Sequence, residues 1–117
     1  PLYDEVMGLH DEVMPKMGTM AHLTKQLKTE LKTIQESSPE DSTRISALLD
    51  GIASLKKADE HMMQWMRAFK QPKPDEDEAV TIQYLKEEKM KIIQVRLEML
   101  ESIQQAEELL GITELKK

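Results

Sequence analysis

Tyr3, Val6, His10, Val13, Met17, Met20, Thr24, Leu27, Leu31 and Ile34 follow one another at alternating steps of three and four residues. That spacing is the seam of one long amphipathic helix, and it predicts helix from Leu2 to about Glu36. Pro15 lies inside the segment. It removes one backbone donor and its ring crowds the carbonyl of Asp11, so a kink is expected near it. A break at Pro15 is the alternative, but the seam keeps its phase across the proline.

Two further seams follow. Ile45, Leu48, Ile52, Leu55, Asp59, Met62, Met66 and Phe69 predict a second helix from about Pro39 to Lys70. Ser38 is placed to cap it, with Pro39 in its first turn. Ile82, Leu85, Lys89, Ile92, Arg96, Met99, Ile103, Ala106 and Leu110 predict a third, from about Asp75 to Leu110. Gln71-Pro72-Lys73-Pro74 separates the two, and the acids Asp75 to Glu78 suit the positive end of a helix. Gly111 suits its C-cap, and the tail Ile112 to Lys117 is expected to dock or fray.

Three helices of similar length with short links predict an all-α, up-down-up antiparallel, left-handed bundle in a single domain, residues 1–117. The layout is similar to a spectrin-type repeat, an architectural likeness that carries no function.

Antiparallel neighbours let the layers be drawn. Partners on the first and second helices should have numbers adding to roughly 75, and on the second and third to roughly 148. Aliphatic side chains then gather near the first turn. Tyr3, Met7, His10, Met14, Met17, His61, Met62, Met63, Trp65, Met66, Phe69 and Tyr84 gather at the other end. Seven of these, Tyr3, Met7, His10, Met14, Trp65, Met66 and Phe69, form the candidate partner or ligand end, because methionine and aromatic surfaces are deformable and polarisable. Asp59 and Lys89 fall on one level and are expected to form a structural ion pair between the second and third helices.

Composition narrows the function classes. Apolar residues make up 39% and charged residues 32%, with four glycines and five prolines, which is too apolar and too periodic for a disordered chain. The net charge of −6 argues against nucleic acid, which needs a basic stripe to displace counterions. With no cysteine there is neither a disulfide nor a thiolate metal site. No apolar run approaches the ~20 residues that span a bilayer. The chain begins at Pro1 without an initiator methionine, as expected of a processed or trimmed fragment.

Candidate chemistry is thin. The tetrapeptide Asp-Glu-Val-Met occurs at residues 4–7 and again at 11–14, with His10 between the copies. Heptad periodicity explains the repeat, since Val6 and Val13 both lie on the seam. A soft-ligand reading competes with it. His10, Met14, His61 and Met62 have the donor types for Cu(I), and a His/Met pair can ligate haem. Methionine at helical spacing is more often core, so no metal and no cofactor is expected. Gly-rich phosphate loops, nucleophile elbows and zincin motifs are lacking, the serines read as caps or helix surface, and no catalytic residue is expected. Leu9, Leu23, Leu49, Trp65, Ile93, Leu97 and Leu109 lie beside or off the seams and leave room for self-association or a protein partner.

The runs LYDEVMGLHDEVMPKMG (Leu2 to Gly18), KADEHMMQWMRAFK (Lys57 to Lys70) and YLKEEKMKI (Tyr84 to Ile92) together resemble a family of small helical proteins of Bacteroidetes-type bacteria. Many of these are predicted lipoproteins, and some carry the misleading label "viral A-type inclusion protein". The resemblance implies an upstream signal and lipid-attachment cysteine. The chain would then be periplasmic or outer-membrane-anchored, meeting the membrane only through an N-terminal lipid anchor that lies outside it. The resemblance implies no activity.

Overall fold

A computed structural model describes residues 1–111. It contains three helices and, among the described residues, no strand: α1 (Leu2–Ser37), α2 (Ser42–Ala68) and α3 (Glu78–Leu110). Each packs on both others, so the fold is a three-helix bundle.

α1 runs unbroken through Pro15, whose ring is exposed on the outside. Val6, Val13, Met20 and Leu27, each seven residues from the next, are buried on both sides of it. The aligned apolar stripe outweighs one missing backbone donor.

The ends of the helices differ from expectation at two places. α2 begins at Ser42, not Pro39. Ser38, Pro39 and Glu40 make a tight turn in which the N–H of Asp41 donates to the Ser38 carbonyl at 2.9 Å. The Asp41 carboxylate then accepts from the Arg44 N–H at 3.1 Å and caps the helix in place of Ser38. α3 begins at Glu78, because the Asp77 carboxylate accepts from the N–H groups of both Ala79 and Val80. Gly111 ends α3 with φ +73°, the left-handed conformation that a side chain disfavours.

The second and third seams are rotated from the positions expected. On α2 the line Leu48, Leu55, Met62 is buried as drawn, but its companion line is Gly51, Ala58, Trp65, not Ile52, Asp59, Met66. On α3, Leu85, Ile92, Met99 and Ala106 are buried as drawn, with Glu88, Val95 and Ser102 in place of Lys89, Arg96 and Ile103. Small side chains make this possible. A methyl group added to Gly51 would lie 2.7 Å from Leu109 Cδ1 and 3.3 Å from Leu27 Cδ1, so leucines of α3 and α1 pack directly over the glycine and would have to shift for an alanine.

Cross-helix contacts fix direction and register. His10 meets Trp65 and Glu30 meets Arg44, so α1 and α2 are antiparallel in the register expected. Glu5 meets Lys89 and Glu12 meets Arg96, both 84 residues apart, so α1 and α3 run parallel. α3 sits more than one helical turn from its expected level against α2, as His61 with Glu98 and Phe69 with Tyr84 show. The long link from Phe69 to Asp77 is the cause.

Candidate functional site

The repeated Asp-Glu-Val-Met is where sequence and structure meet most directly. In each copy the valine is fully buried: Val6 and Val13 are both 0% exposed. In each copy the glutamate reaches across to α3. Glu5 accepts from Lys89 Nζ at 2.6 Å, and Glu12 accepts from Arg96 Nη2 at 2.7 Å and Nε at 2.8 Å. Seven residues separate the copies on α1, and seven separate the two cations on α3. The repeat is therefore a two-rung ladder of ion pairs beside a buried valine stripe. The Lys89 hydrogen bond, reinforced by its charge, holds the Glu5 carboxyl below the usual carboxylate range.

That ladder overturns the expected Asp59–Lys89 pair. Lys89 is turned towards α1 and taken by Glu5. Asp59 lies on the opposite flank of α2, in the groove facing Lys28 and Lys56. The rotation of the α2 and α3 seams separates them.

The candidate ligand end is assembled from the start of α1, the end of α2 and the start of α3, which the antiparallel fold brings together. The rings of Trp65 and Phe69 stack at 4.9 Å between centroids, Phe69 stacks on Tyr84 at 5.9 Å and on Tyr3 at 6.4 Å. Phe69 can sit at the centre because α2 stops there, its backbone turning extended. The Tyr84 hydroxyl then accepts the N–H of Lys70 at 2.8 Å, just past the helix end. Ring faces are consumed by one another, so the cluster closes the bundle more than it presents a surface. Tyr3, Met7, Met66 and Phe69 are half-buried, Trp65 is buried and Met14 is exposed. Trp65 Nε1 is a buried donor that no acceptor reaches among the described residues.

The four soft-ligand candidates are differently engaged. His10 packs against Trp65 with centroids 6.0 Å apart, and its Nδ1 lies 3.1 Å from the Asp11 carboxylate. His61 points to the other side of α2, where its Nδ1 lies 2.6 Å from Glu98 of α3. Met62 is fully buried in the core. Among the described residues, no three His, Cys, Asp or Glu side chains gather into a candidate metal site.

Two features were not legible in the pattern, and a third was legible only in part. Arg44 joins all three helices: its Nη2 donates to the Leu109 carbonyl at 2.7 Å and lies 3.7 Å from Glu30. The cation sits at the C-terminal end of α3, where the helix dipole favours it. Glu88 is 4% exposed in the core stripe, with Lys91 at 3.0 Å as its ion-pair partner. The neighbouring carboxylate holds the Lys91 ammonium above its usual range, first through the hydrogen bond and then through charge. Finally, α3 carries a second apolar line that no helix covers among the described residues: Met90 is 74% exposed, Ile93 44% and Leu97 46%. Ile93 and Leu97 are among the off-seam residues expected to leave room for a partner, and Met90 joins them at helical spacing.

Among the described residues no helix is long and apolar enough to cross a membrane. Comparison of the chain with protein-family models, with curated proteins and with solved structures gives no match.

Proposed function

We propose that this chain is a non-enzymatic structural or protein-interaction module, the exported part of a lipoprotein, and that it meets its partner through a helix face. The observation that carries the reading is the uncovered line Met90, Ile93 and Leu97 on α3. Three large apolar side chains at helical spacing on an outer face match the anchors by which an amphipathic helix docks. Isolated exposed apolar residues need no explanation, but an aligned set of them marks a contact surface. The aromatic end, stacked on itself, is the weaker candidate surface. The exported location rests on the family resemblance alone, and fractionation of the source cells checks it.

A photo-cross-linking residue at position 93, with one at position 46 on the exposed side of α2 as control, tests the surface in those cells. A defined protein captured at 93 and not at 46 is expected. With the cross-linker at 93, Met90→Glu with Leu97→Glu should abolish capture and leave the melting temperature unchanged. Equal capture at both positions, or capture insensitive to the glutamates, would refute the reading.

A second reading, a Cu(I)- or haem-binding bundle, is favoured by one geometric detail. The Asp11 carboxylate at His10 Nδ1 resembles the orienting contact that ligating histidines receive. Titration with Cu(I) against a competing chelator, and with haem by its Soret shift, tests it. Uptake lost on His10→Ala would favour it, and uptake no tighter than micromolar would remove it.

A further inference from the structure

The uncovered line on α3 belongs to a longer face. Lys86, Met90, Ile93, Leu97 and Glu101 follow one another at steps of four and three, and all five are exposed. At that spacing they form one outer stripe of the helix. The stripe is arranged evenly about the point between Ile93 and Gln94. Met90 and Leu97 stand at equal distances from that point. So do Lys86 and Glu101, a cation matched by an anion. Gln83 and Gln104 come next, both exposed, and each donates to a glutamate four residues on, Glu87 at 3.0 Å and Glu108 at 3.3 Å. Lys86 and Glu101 enter no ion pair among the described residues, although Lys89, Lys91 and Arg96 of the same helix do. Glu101 also borders the cleft of α2 and α3 that Lys57 lines, yet no ion pair joins the two among the described residues.

A helix face with this layout is its own complement. Turned end over end about a two-fold axis at its centre, a second α3 brings its Leu97 onto Met90, its Glu101 onto Lys86 and its Ile93 onto Ile93. We infer that the partner of this face is a second copy of the same chain, with α3 packed antiparallel to α3. The inference rests on the interaction reading and names the partner. Two-fold pairs of identical chains are built in this way, each contact of one residue with another being repeated in reverse. A single symmetric contact thus satisfies both unpaired charges in each copy and covers both apolar lines. A foreign helix would also need the apolar anchors, but it gives no reason for opposite charges at equal distances from the centre. Two helices packed along ~20 residues touch over ~30 Å, and a strip ~10 Å wide covers about 300 Å² of each copy, the small end of specific interfaces. The net charge of −6 on each copy adds repulsion. The dimer is therefore weak and reversible, with a dissociation constant of order 100 μM.

The test is sedimentation equilibrium of the whole chain from about 10 μM to about 1 mM, a range that brackets the expected constant. A monomer in equilibrium with a dimer is expected. Lys86→Glu alone and Glu101→Lys alone each set like charges opposite one another at two symmetric places. Each should weaken the dimer about ten-fold or more, since two exposed attractions become two repulsions. An equimolar mixture of the two variants should regain the affinity of the parent, because every charge then faces its opposite across the pair. Damage to the fold of either variant could not be repaired by mixing, and both side chains are exposed, so both variants should melt like the parent. A chain that stays monomeric at about 1 mM would overturn the inference. So would single variants that pair as tightly as the parent, or a mixture no tighter than either variant alone. Cross-linking at position 93 should yield a product of twice the chain's own mass. Capture there of a different protein, with the purified chain monomeric, would remove self-pairing and leave the interaction reading standing. No capture at 93 would remove both.

Discussion

Glu88 is the residue whose replacement tests the packing most sharply. Its side chain is 6% exposed and lies in the core line of α3 between Leu85 and Ile92. Its ion-pair partner is Lys91, whose side chain is 64% exposed. The carboxylate has thus lost most of its water, while the compensating charge stands in solvent, where attraction is screened. Desolvation of such an ion costs several kcal/mol, and a partner in water returns only part of it. Glu88→Met keeps the length of the side chain and nearly its volume, so it opens no cavity and forces no overpacking. Removing the desolvation and burying a thioether should leave the variant more stable by about 1–3 kcal/mol. Glu88→Gln isolates the charge from the packing and should fall between the two. Lys91→Met, which leaves the buried carboxylate without its partner, should move stability in the opposite direction. Urea unfolding followed by circular dichroism gives the free energies, and an unchanged m-value shows that the same surface is exposed on unfolding. A Glu88→Met chain less stable than the parent by more than about 1 kcal/mol, at equal m, would refute the reasoning.

Two further expectations follow from the helix ends and the ladder. Asp77→Ala removes an acceptor shared by the N–H groups of Ala79 and Val80 and should cost about 1 kcal/mol. Asp77→Asn should restore most of it, and a null effect in urea unfolding would show that the cap is redundant. Glu5 is held below the usual carboxylate range in the folded chain, so its pair with Lys89 stabilises the fold above the unfolded value of about 4.3 and loses that effect as pH falls through the folded one. The melting temperature of Glu5→Gln should therefore lie below that of the parent at pH about 7 and coincide with it at pH about 2. An equal gap at both pH values would show that the glutamate acts through packing instead.

The architecture was legible because helix pattern is local. Steps of three and four named three helices, and the proline-rich break at residues 71–74 separated the second from the third. The near end of α2 moved to Asp41 because a carboxylate able to reach the Arg44 N–H decides a cap, and residue type alone does not say which of Ser38 and Asp41 will do so. The antiparallel register of α1 against α2 followed from a short turn. That of α3 against α2 did not, because a longer link leaves the level free and only the packed side chains fix it.

The sequence by itself determined the three amphipathic stripes, the unbroken phase through Pro15, the gathering of the four aromatics at one end and the heptad origin of the repeated Asp-Glu-Val-Met. The aromatic gathering follows from antiparallel layering, and each of the others is a consequence of spacing along one helix. Tertiary structure decided which side of each stripe faces inward. A residue at 89 or 96 and one at 88 or 95 differ by about 100° around the axis, and both suit a helix with two neighbours. In the packed bundle Gly51, Ala58 and Ser102 face inward, Lys89 and Arg96 reach Glu5 and Glu12, and Asp59 lies on a different flank from Lys89. The same rotation uncovered Met90, Ile93 and Leu97. The surfaces offered to partners are set by the mutual rotation of three helices, a quantity that no single stripe contains.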